Sequence, residues 1–592
     1  MERADIVEHL KTMALALELL GNPPERAQAF RQAAGIVARA GDRAWAEWLS
    51  GTAPPSPRLD ADVQTCIRQW VQSDTVADLE ALLLRIPPGL FGLLKIRGLG
   101  PRRVHSLWVK AGVISQRTLE RACRREALAR IEGFGNPLQA QLLSEIQRRR
   151  RSLGRWLRRT AMLLAEERER QLRQASGLSS LTRAGDIRRA LETVDEIVWV
   201  AAAERPRILL GRLASLEGAR LANQDPPDTL LFESPDTPRQ RVVVVPPAHL
   251  TARLFLETGS ASHVRGVLQR LASRSICLAA QGPAAPPSPE AAAGLPGRDG
   301  FEDRSLQIWL PRAEEEIYER AGMAYVPPEL REDRGEIAAA SSRELPKLVE
   351  PKDLKGVLHV HTTWSDGKGS VHQMATTAHS LGWSYLGITD HSPAVFYANG
   401  LSPERLRQQA NHIRSVQEAF TGLRIFHGVE CDILPDGTLD LDDRTLARLD
   451  YALISIHSLL HMGREAMTQR IIRAMQHPKA IILAHPTGRL LLEREGYALD
   501  WDRLFDAAAT AGVAMEFNSP PERLDLDWRL IREATRRGIL ISISPDAHTP
   551  GAMGNVIEGI ATARKGWLTA SQVLNTRTAQ ELEALFARRG SE

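Results

Sequence analysis

Twelve of the sixteen histidines in this 592-residue chain lie beyond residue 356, and six of the twelve sit in short, carboxylate-rich motifs. In order these are LHVHTTWSDG (His359, His361, Asp366), ITDH (Asp390, His391), GVE (Glu430), SIH (His457), AHPTGR (His485) and PDAH (Asp546, His548). Imidazole and carboxylate are donors that zinc, manganese and iron share, and several such cations side by side hydrolyse phosphate esters. His359 and His361 are two apart on an expected strand, so both leave the same face and can meet one cation. An H-x-H pair alone is a weak signal; its recurrence with further donors, each closing a β-rich run, argues for one shared site. Asp390 reads as a carboxylate that orients a ligand imidazole, and Arg489 as a phosphate clamp whose planar fork suits two oxygens. His372, His379, His412, His427, His461 and His477 lack the strand-end context and read as ordinary surface or core residues.

The elements that must position these donors alternate. GVLHVH, YLGITDH, RIFHGVE, YALISIH, AIILAHP, VAMEFN and ILISISPDAH are separated by helical patterns over about 230 residues. Seven strand–helix units in series predict a parallel α/β barrel or a close relative, with its chemistry at the C-terminal ends of the strands. Upstream, Ile6, Leu10, Met13, Leu17 and Leu20 recur at helical spacing, and Pro-rich breaks at 53–57 and 86–88 separate the helices of residues 1–93. Ile96–Pro101 (IRGLGP) is echoed 35 positions later by Ile131–Asn136 (IEGFGN), each followed by a helical pattern. Strands are expected at 194–200 and 241–245, a loop in the Ala/Pro/Gly-rich stretch 278–300, and a linker in the polar stretch 332–354.

Between Lys95 and Arg159 there are seventeen Lys and Arg against four acids, a density that calls for an anionic partner. The glycine turns inside that basic stretch resemble helix-hairpin-helix motifs, and the resemblance implies that Gly98, Gly100, Gly133 and Gly135, with Arg102 and Arg103, are the candidate DNA contacts. Backbone N–H groups at a helix start hold phosphates without reading bases. Hydrophobic content of 43% and charged content of 25% are those of a globular chain, and the net charge of +4 is spread unevenly. No apolar run approaches the length of a membrane span, and the N-terminus lacks the pattern of a signal peptide. Cys66, Cys123, Cys277 and Cys431 form no C-x-x-C pair, which fits reduced thiols and a cytoplasmic location. No oligomeric state is specified.

Residues 356–585 resemble the PHP (polymerase and histidinol phosphatase) family, a distorted (β/α)7 barrel with two or three divalent cations. The resemblance implies that His359, His361, Glu430 and Asp546 hold the first cation and Asp366, His391 and His548 the second. Glu430 would bridge to a third, completed by His457 and His485. The donor set suits Mn2+, Zn2+ or Fe2+ alike.

The N-terminal half resembles the bacterial and archaeal type of family X DNA polymerase, in which a polymerase core precedes a PHP domain. The motifs that carry the likeness are AFRQAA (29–34), the two glycine hairpins, RAGDIRRALETVDE (183–196), ETGSASH (257–263) and YVPPELRE (325–332). It implies helix-hairpin-helix elements and the following layout: a helical DNA-binding region 1–93, a fingers-like region 94–158, a palm 159–250, a thumb-like region 251–331, a linker 332–355 and the barrel 356–585.

Three departures stand out. The palm's Asp-x-Asp strand reads Glu196-Ile197-Val198, and its third carboxylate should fall in 241–245, which is Arg followed by four valines. Asp195 cannot substitute, since adjacent strand residues face opposite ways. The nucleotide-phosphate Gly-Ser is Gly185-Asp186, and an early hairpin near 49–60 has become LSGTAPPSPRL. The expectation is a metal-dependent phosphoesterase directed at gapped, damaged or single-stranded DNA without sequence preference, with a silent polymerase core. By resemblance it would act as a 3′-to-5′ exonuclease, with abasic-site endonuclease or 3′-phosphatase action beside it, in base-excision repair. The rival readings are an active gap-filling polymerase, a small-molecule phosphatase of the histidinol-phosphate kind and a non-enzymatic DNA scaffold.

Overall fold

Apolar residues at helical spacing account for the start of the chain: Ile6, Leu10, Met13 and Leu17 are all buried on α1 (Arg3–Leu19), which packs along α2 (Pro24–Arg39). The computed structural model describes residues 3–50, 59–73, 76–87, 89–94, 96, 98–125, 127–131, 133–152, 154–175, 177–222, 229–234, 237–279, 307–460 and 462–589. The altered hairpin at 49–60, the Ala/Pro/Gly stretch 278–300 and His461 lie largely or wholly outside these residues. The chain divides into two compact units, 1–153 and 154–592.

Every regular element among the described residues of the first unit is a helix. Its 35-residue repeat has one backbone used twice. Gly98 and Gly133 take φ of +91° and +85°, a region glycine enters without steric cost. Leu99 N–H donates to the Ile96 carbonyl and Phe134 N–H to the Ile131 carbonyl, both at 3.0 Å. Gly100 and Gly135 then accept from the first turn of the helix that follows, from Val104 N–H (3.0 Å) and Gln139 N–H (3.1 Å). Leu99 and Phe134, between the glycines, are buried and anchor each turn.

The second unit opens with a five-stranded sheet: β1 (Ser180–Ala184), β2 (Glu196–Ala202), β3 (Ala219–Leu221), β4 (Thr229–Phe232) and β5 (Arg239–Val245), in the order β1-β2-β5-β4-β3. The expected strands 194–200 and 241–245 are its central parallel pair. Beyond it, helices Leu250–Thr258, Ala261–Ser273 and Glu314–Arg320 share a core around Phe255, Val267 and Tyr318. The stretch expected to be a linker is ordered. It carries helix Glu336–Ser342, and Leu348 and Val349 are buried. Its polar composition conceals a buried pair, in which Glu336 accepts from His263 Nδ1 (2.7 Å) and from the N–H groups of Asp333 (2.9 Å) and Arg334 (2.7 Å).

Seven parallel strands follow in sequence order: β6 (Gly356–Val357), β7 (Tyr385–Ile388), β8 (Arg424–Asp432), β9 (Tyr451–Ser455), β10 (Ala480–Leu483), β11 (Ala514–Asn518) and β12 (Ile541–Ser544). A parallel bridge between Val360 and Ala547 joins the first strand's extension to the last, nearly closing a (β/α)7 barrel. Runs such as YLGI, YALIS and AIIL are buried at every position, as strands covered on both faces must be.

The region of the five-stranded sheet and the barrel meet through a polar junction. Glu192 accepts from Trp528 Nε1 (2.8 Å) and pairs with Arg529 (2.7 Å). Lys565 is buried and donates to Glu332 (2.6 Å) and to the Arg189 carbonyl (2.9 Å).

Candidate metal centre

Glu430 is the hub of the barrel mouth. It lies near the end of β8, its carboxylate almost wholly buried, and five imidazoles converge on its two oxygens. His391 Nδ1 (3.0 Å), His359 Nε2 (3.4 Å) and His361 Nε2 (3.4 Å) face Oε2, while His485 Nε2 (2.9 Å) and His457 Nε2 (3.4 Å) face Oε1, so five rings in all touch it. Asp546 Oδ1 lies 3.1 Å from His361 Nε2 and 3.5 Å from His359 Nε2. Asp366 Oδ1 stands 3.4 Å from His548 and 3.7 Å from His391. His391, His457, His485 and Asp546 come two or three residues after the ends of β7, β9, β10 and β12, the same place in each unit. His485 and Asp546 hold positive φ, +29° and +46°, and such strained backbone concentrates at functional sites. Gly367 is required by the turn below Asp366, since a Cβ there would come 2.6 Å from the His361 carbonyl.

All nine expected donors are therefore brought together, in overlapping sets. His359, His361 and Asp546 form one; His361, Asp366, His391 and His548 a second; His391, Glu430 and His457 a third, with the atoms of each within 4.8 Å. His361 thus stands between the first and second sets and His391 between the second and third, and His485 joins through Glu430.

The donor chemistry fits cations. His359 gives its Nδ1–H to Glu516 (2.6 Å) and His457 its Nδ1–H to Asp432 (3.0 Å). A ring that is neutral with its Nδ1–H so placed turns a lone pair at Nε2 toward Glu430, as a metal ligand must, and His359 Nε2 lies only 3.1 Å from His361 Nε2. Lone pairs and carboxylate oxygens crowded this closely need positive charge between them.

Electrostatics agree. Burial would raise the Glu430 carboxyl, but His391, His457 and His359 hold it well below the usual range, and His359 and His361 do the same for Asp546. Asp366, which burial would also raise, is brought to about 2 by its hydrogen bond with His548 and the neighbouring imidazoles. Burial, with His391 beside it, pushes His361 down to about 3. His548 rises to about 9 against burial because Asp366 bonds it, and His359 rises under the charges of Glu516, Asp546 and Glu430. The carboxylates are held ionised, the form in which they bind cations, and cation binding would displace the protons of the raised rings.

Two expectations change. Asp390 is buried, but it touches no ligand ring. It accepts from Thr362 N–H (2.7 Å) and Oγ1 (2.6 Å), from Ser365 and from Gln409, and so pins the 362–365 turn that carries Asp366. The imidazole-orienting carboxylates are Glu516 and Asp432, which sequence reasoning missed. Both were readable from alternation: Asp432 shares a face of β8 with Glu430, and Glu516 interrupts the apolar run of β11. Arg489 is committed elsewhere, to Asp527 (2.7 Å), the Arg523 carbonyl (3.1 Å) and the Leu524 carbonyl, because its loop folds back on itself. The arginine at the centre is Arg523, with Nε 4.0 Å from Asp546 Oδ2.

The model of the PHP domain matches residues 358–574. Over its whole length the chain is 32% identical to the DNA polymerase/3'-5' exonuclease PolX of Bacillus subtilis (strain 168), an alignment covering 99% of this chain and 100% of the relative. The chain belongs to the PolX family. The barrel of this PolX-family chain also matches smaller proteins. It is 27% identical over 236 residues to a probable phosphatase of Thermoanaerobacter sp. (strain X514), covering 38% of this chain and 91% of that one. A probable phosphatase of Syntrophotalea carbinolica is 25% identical over 238 residues, covering 38% and 94%.

The five-stranded sheet of this PolX-family chain, where the palm was expected, is arranged differently from its barrel. Glu196, at the start of β2, pairs with Arg241 (2.9 Å) and Arg239 (3.3 Å) of β5. Arg241 also grips Glu257 (2.8 Å), which Arg253 holds from its other side (2.6 Å). Val198 pairs with Arg241 in the β2–β5 register, so a guanidinium occupies the strand where a third carboxylate was expected. Asp186 is likewise matched, to Arg189 (2.7 Å). In the first unit Arg102 and Arg103 are exposed beside the first glycine turn, and Arg103 bonds back to the Gly98 carbonyl (2.7 Å). Among the described residues no helix is long and apolar enough to cross a membrane.

Proposed function

We propose that the protein hydrolyses DNA phosphodiesters from a free 3′ end at the barrel's metal centre, while its palm holds DNA without transferring nucleotides. The observation that carries this reading is the convergence of nine donors from six strand ends and their loops on Glu430 and Asp546. Two or three bound cations, Mn2+, Zn2+ or Fe2+, would be held by His359, His361, Asp366, His391, Glu430, His457, His485, Asp546 and His548. When bound they supply water ionised near neutral pH and compensate charge on the phosphate.

The chain's own groups do the rest. Glu516 and Asp432 fix the tautomers of His359 and His457. Asp390 keeps the Asp366 turn in place. Arg523 presents a guanidinium to a phosphate oxygen beside Asp546. Residues 1–93 and the hairpin region 94–158 would grip the backbone without base readout, through the amides around Gly98, Gly100, Gly133 and Gly135 and through Arg102 and Arg103. The palm (159–250), the thumb-like region (251–331) and the connector (332–355) would carry gapped, damaged or single-stranded DNA to the barrel (356–585), in repair. The ion pairs on Glu196 and Glu257 support a silent palm. The likeness of the barrel to probable phosphatases supports a second action, removal of terminal 3′ phosphates, with cleavage at abasic sites on the same chemistry.

The test is 5′-labelled single-stranded and gapped DNA with manganese, wild type against His359→Ala. A ladder of shortened products in wild type alone is expected; unchanged DNA in both refutes the reading. Primer extension with magnesium and dNTPs should give no product, and robust extension lost in Glu196→Ala would overturn the silent palm.

A further inference from the structure

Exposure of large aromatic rings is costly, so two adjacent ones held rigidly in water need a reason. Phe396 and Tyr397 are 82% and 69% exposed, their rings in edge-to-face contact at 5.7 Å. They form the crest of a loop that begins and ends on the metal centre. Ser392 N–H donates to the Glu430 carbonyl (3.0 Å), and Leu401 N–H returns to the His391 carbonyl (2.7 Å).

The loop is braced on both sides of the crest. Ala394 N–H donates to Asp440 (2.7 Å), and Val395 and Ala398 are buried. Asn399, at φ +58°, donates its side-chain amide to the carbonyls of Trp364 (3.2 Å) and Ser365 (3.3 Å), the turn beside Asp366. Buried flanks and an anchored backbone leave the two rings as the only large side chains of 392–400 turned outward. The Tyr397 phenol is near enough to the centre to feel it: after burial, the charges of Asp432, Glu430 and Asp366 raise its pKa, and Arg494 opposes them. Leu459, 57% exposed and two residues past His457, adds apolar surface at the neighbouring strand end.

We propose that Phe396 and Tyr397 form a nucleobase-stacking subsite at the lip of the barrel, which seats the unpaired bases of a single strand whose phosphodiester lies at the metal centre. This rests on the nuclease reading above. Every base has a π-face, so stacking selects unpaired over paired ends without reading sequence, and a duplex end must fray before it can be cut. A phosphate carrying no base gains nothing from the rings.

The experiment compares two otherwise identical single strands, one ending in dA and one ending in a base-free tetrahydrofuran residue. It uses full-length protein with manganese. Wild type should show a KM for the dA-ended strand lower by about tenfold. Phe396→Ala/Tyr397→Ala should take both strands with the KM wild type shows for the base-free one, and Tyr397→Phe should keep the preference. A second readout uses 2-aminopurine at the 3′ end, in the His359→Ala background that leaves the strand intact. Its fluorescence should be quenched by stacking, and less so with the double substitution. Cleavage with no base dependence, or equal losses on both strands, overturns the subsite and leaves the nuclease reading standing. No cleavage of either strand by wild type refutes the nuclease reading. In that case the subsite stands if the double substitution still relieves the quenching, and falls if it does not.

Discussion

The barrel and the palm each gather carboxylates against a central sheet, and they balance that charge in opposite ways. In the palm, Glu196 and Glu257 meet Arg241, with Arg239 and Arg253 behind it. The guanidinium supplies its own positive charge, and burial of Arg241 is outweighed by the two glutamates, which raise its pKa further. In the barrel, Glu430 and Asp546 meet imidazoles, which can give up their protons to a cation, and the far nitrogens of His359 and His457 are tied to Glu516 and Asp432. A carboxylate cluster is therefore not by itself a metal site. What distinguishes the two is whether the counter-charge is a fixed guanidinium or a ring proton that a cation can replace.

That contrast can be broken in three places. The largest effect is expected from Glu430→Ala set beside Glu196→Ala. The first should lower kcat/KM on single-stranded DNA by about a thousandfold or more and remove bound metal by elemental analysis. The second should leave both unchanged, and equal losses would erase the distinction. Next is Glu516→Gln, which keeps the shape of the His359 partner but weakens its hold on the ring. A loss of about 10- to 100-fold in metal affinity is expected, read by titration against a chelator. An unchanged affinity would show that tautomer control is not what makes the barrel metal-competent.

The smallest effect at neutral pH lies at the junction between the two regions. Burial would raise Glu192, but Arg529 and Arg489 bring it from 4.5 to about 2. Its folded-state pKa is the lower one, so its stabilisation is complete above about pH 4.5 and lost as pH falls toward 2. The contribution is on the order of 3 kcal/mol. The difference in melting temperature between wild type and Glu192→Gln should therefore shrink across that window. A constant difference would detach the junction from this carboxylate.

Local pattern sufficed for much of this. Seven apolar runs with helices between them announce a parallel barrel, because only strands covered on both faces can be apolar throughout. Donors two or three residues past those runs announce a site at one end, because parallel strands deliver their C-termini to one rim. The 35-residue repeat announced its twin turns, since Gly98 and Gly133 must enter a region closed to side chains. What local pattern could not carry was the pairing of groups far apart in the chain. Asp390 and Arg489 have the right types near the right motifs, yet one holds a turn and the other a loop, while Arg523 and Glu516 hold the positions at the centre. The stretch 332–354 looked like a linker because Glu336 is charged, and it is buried because His263, 73 residues away, receives it. Residue type and spacing along one strand are local, so the amino-acid order alone determined which groups share a rim. Which of them share a proton, a counter-charge or a cation depends on distances across the fold, and only the tertiary structure decided that.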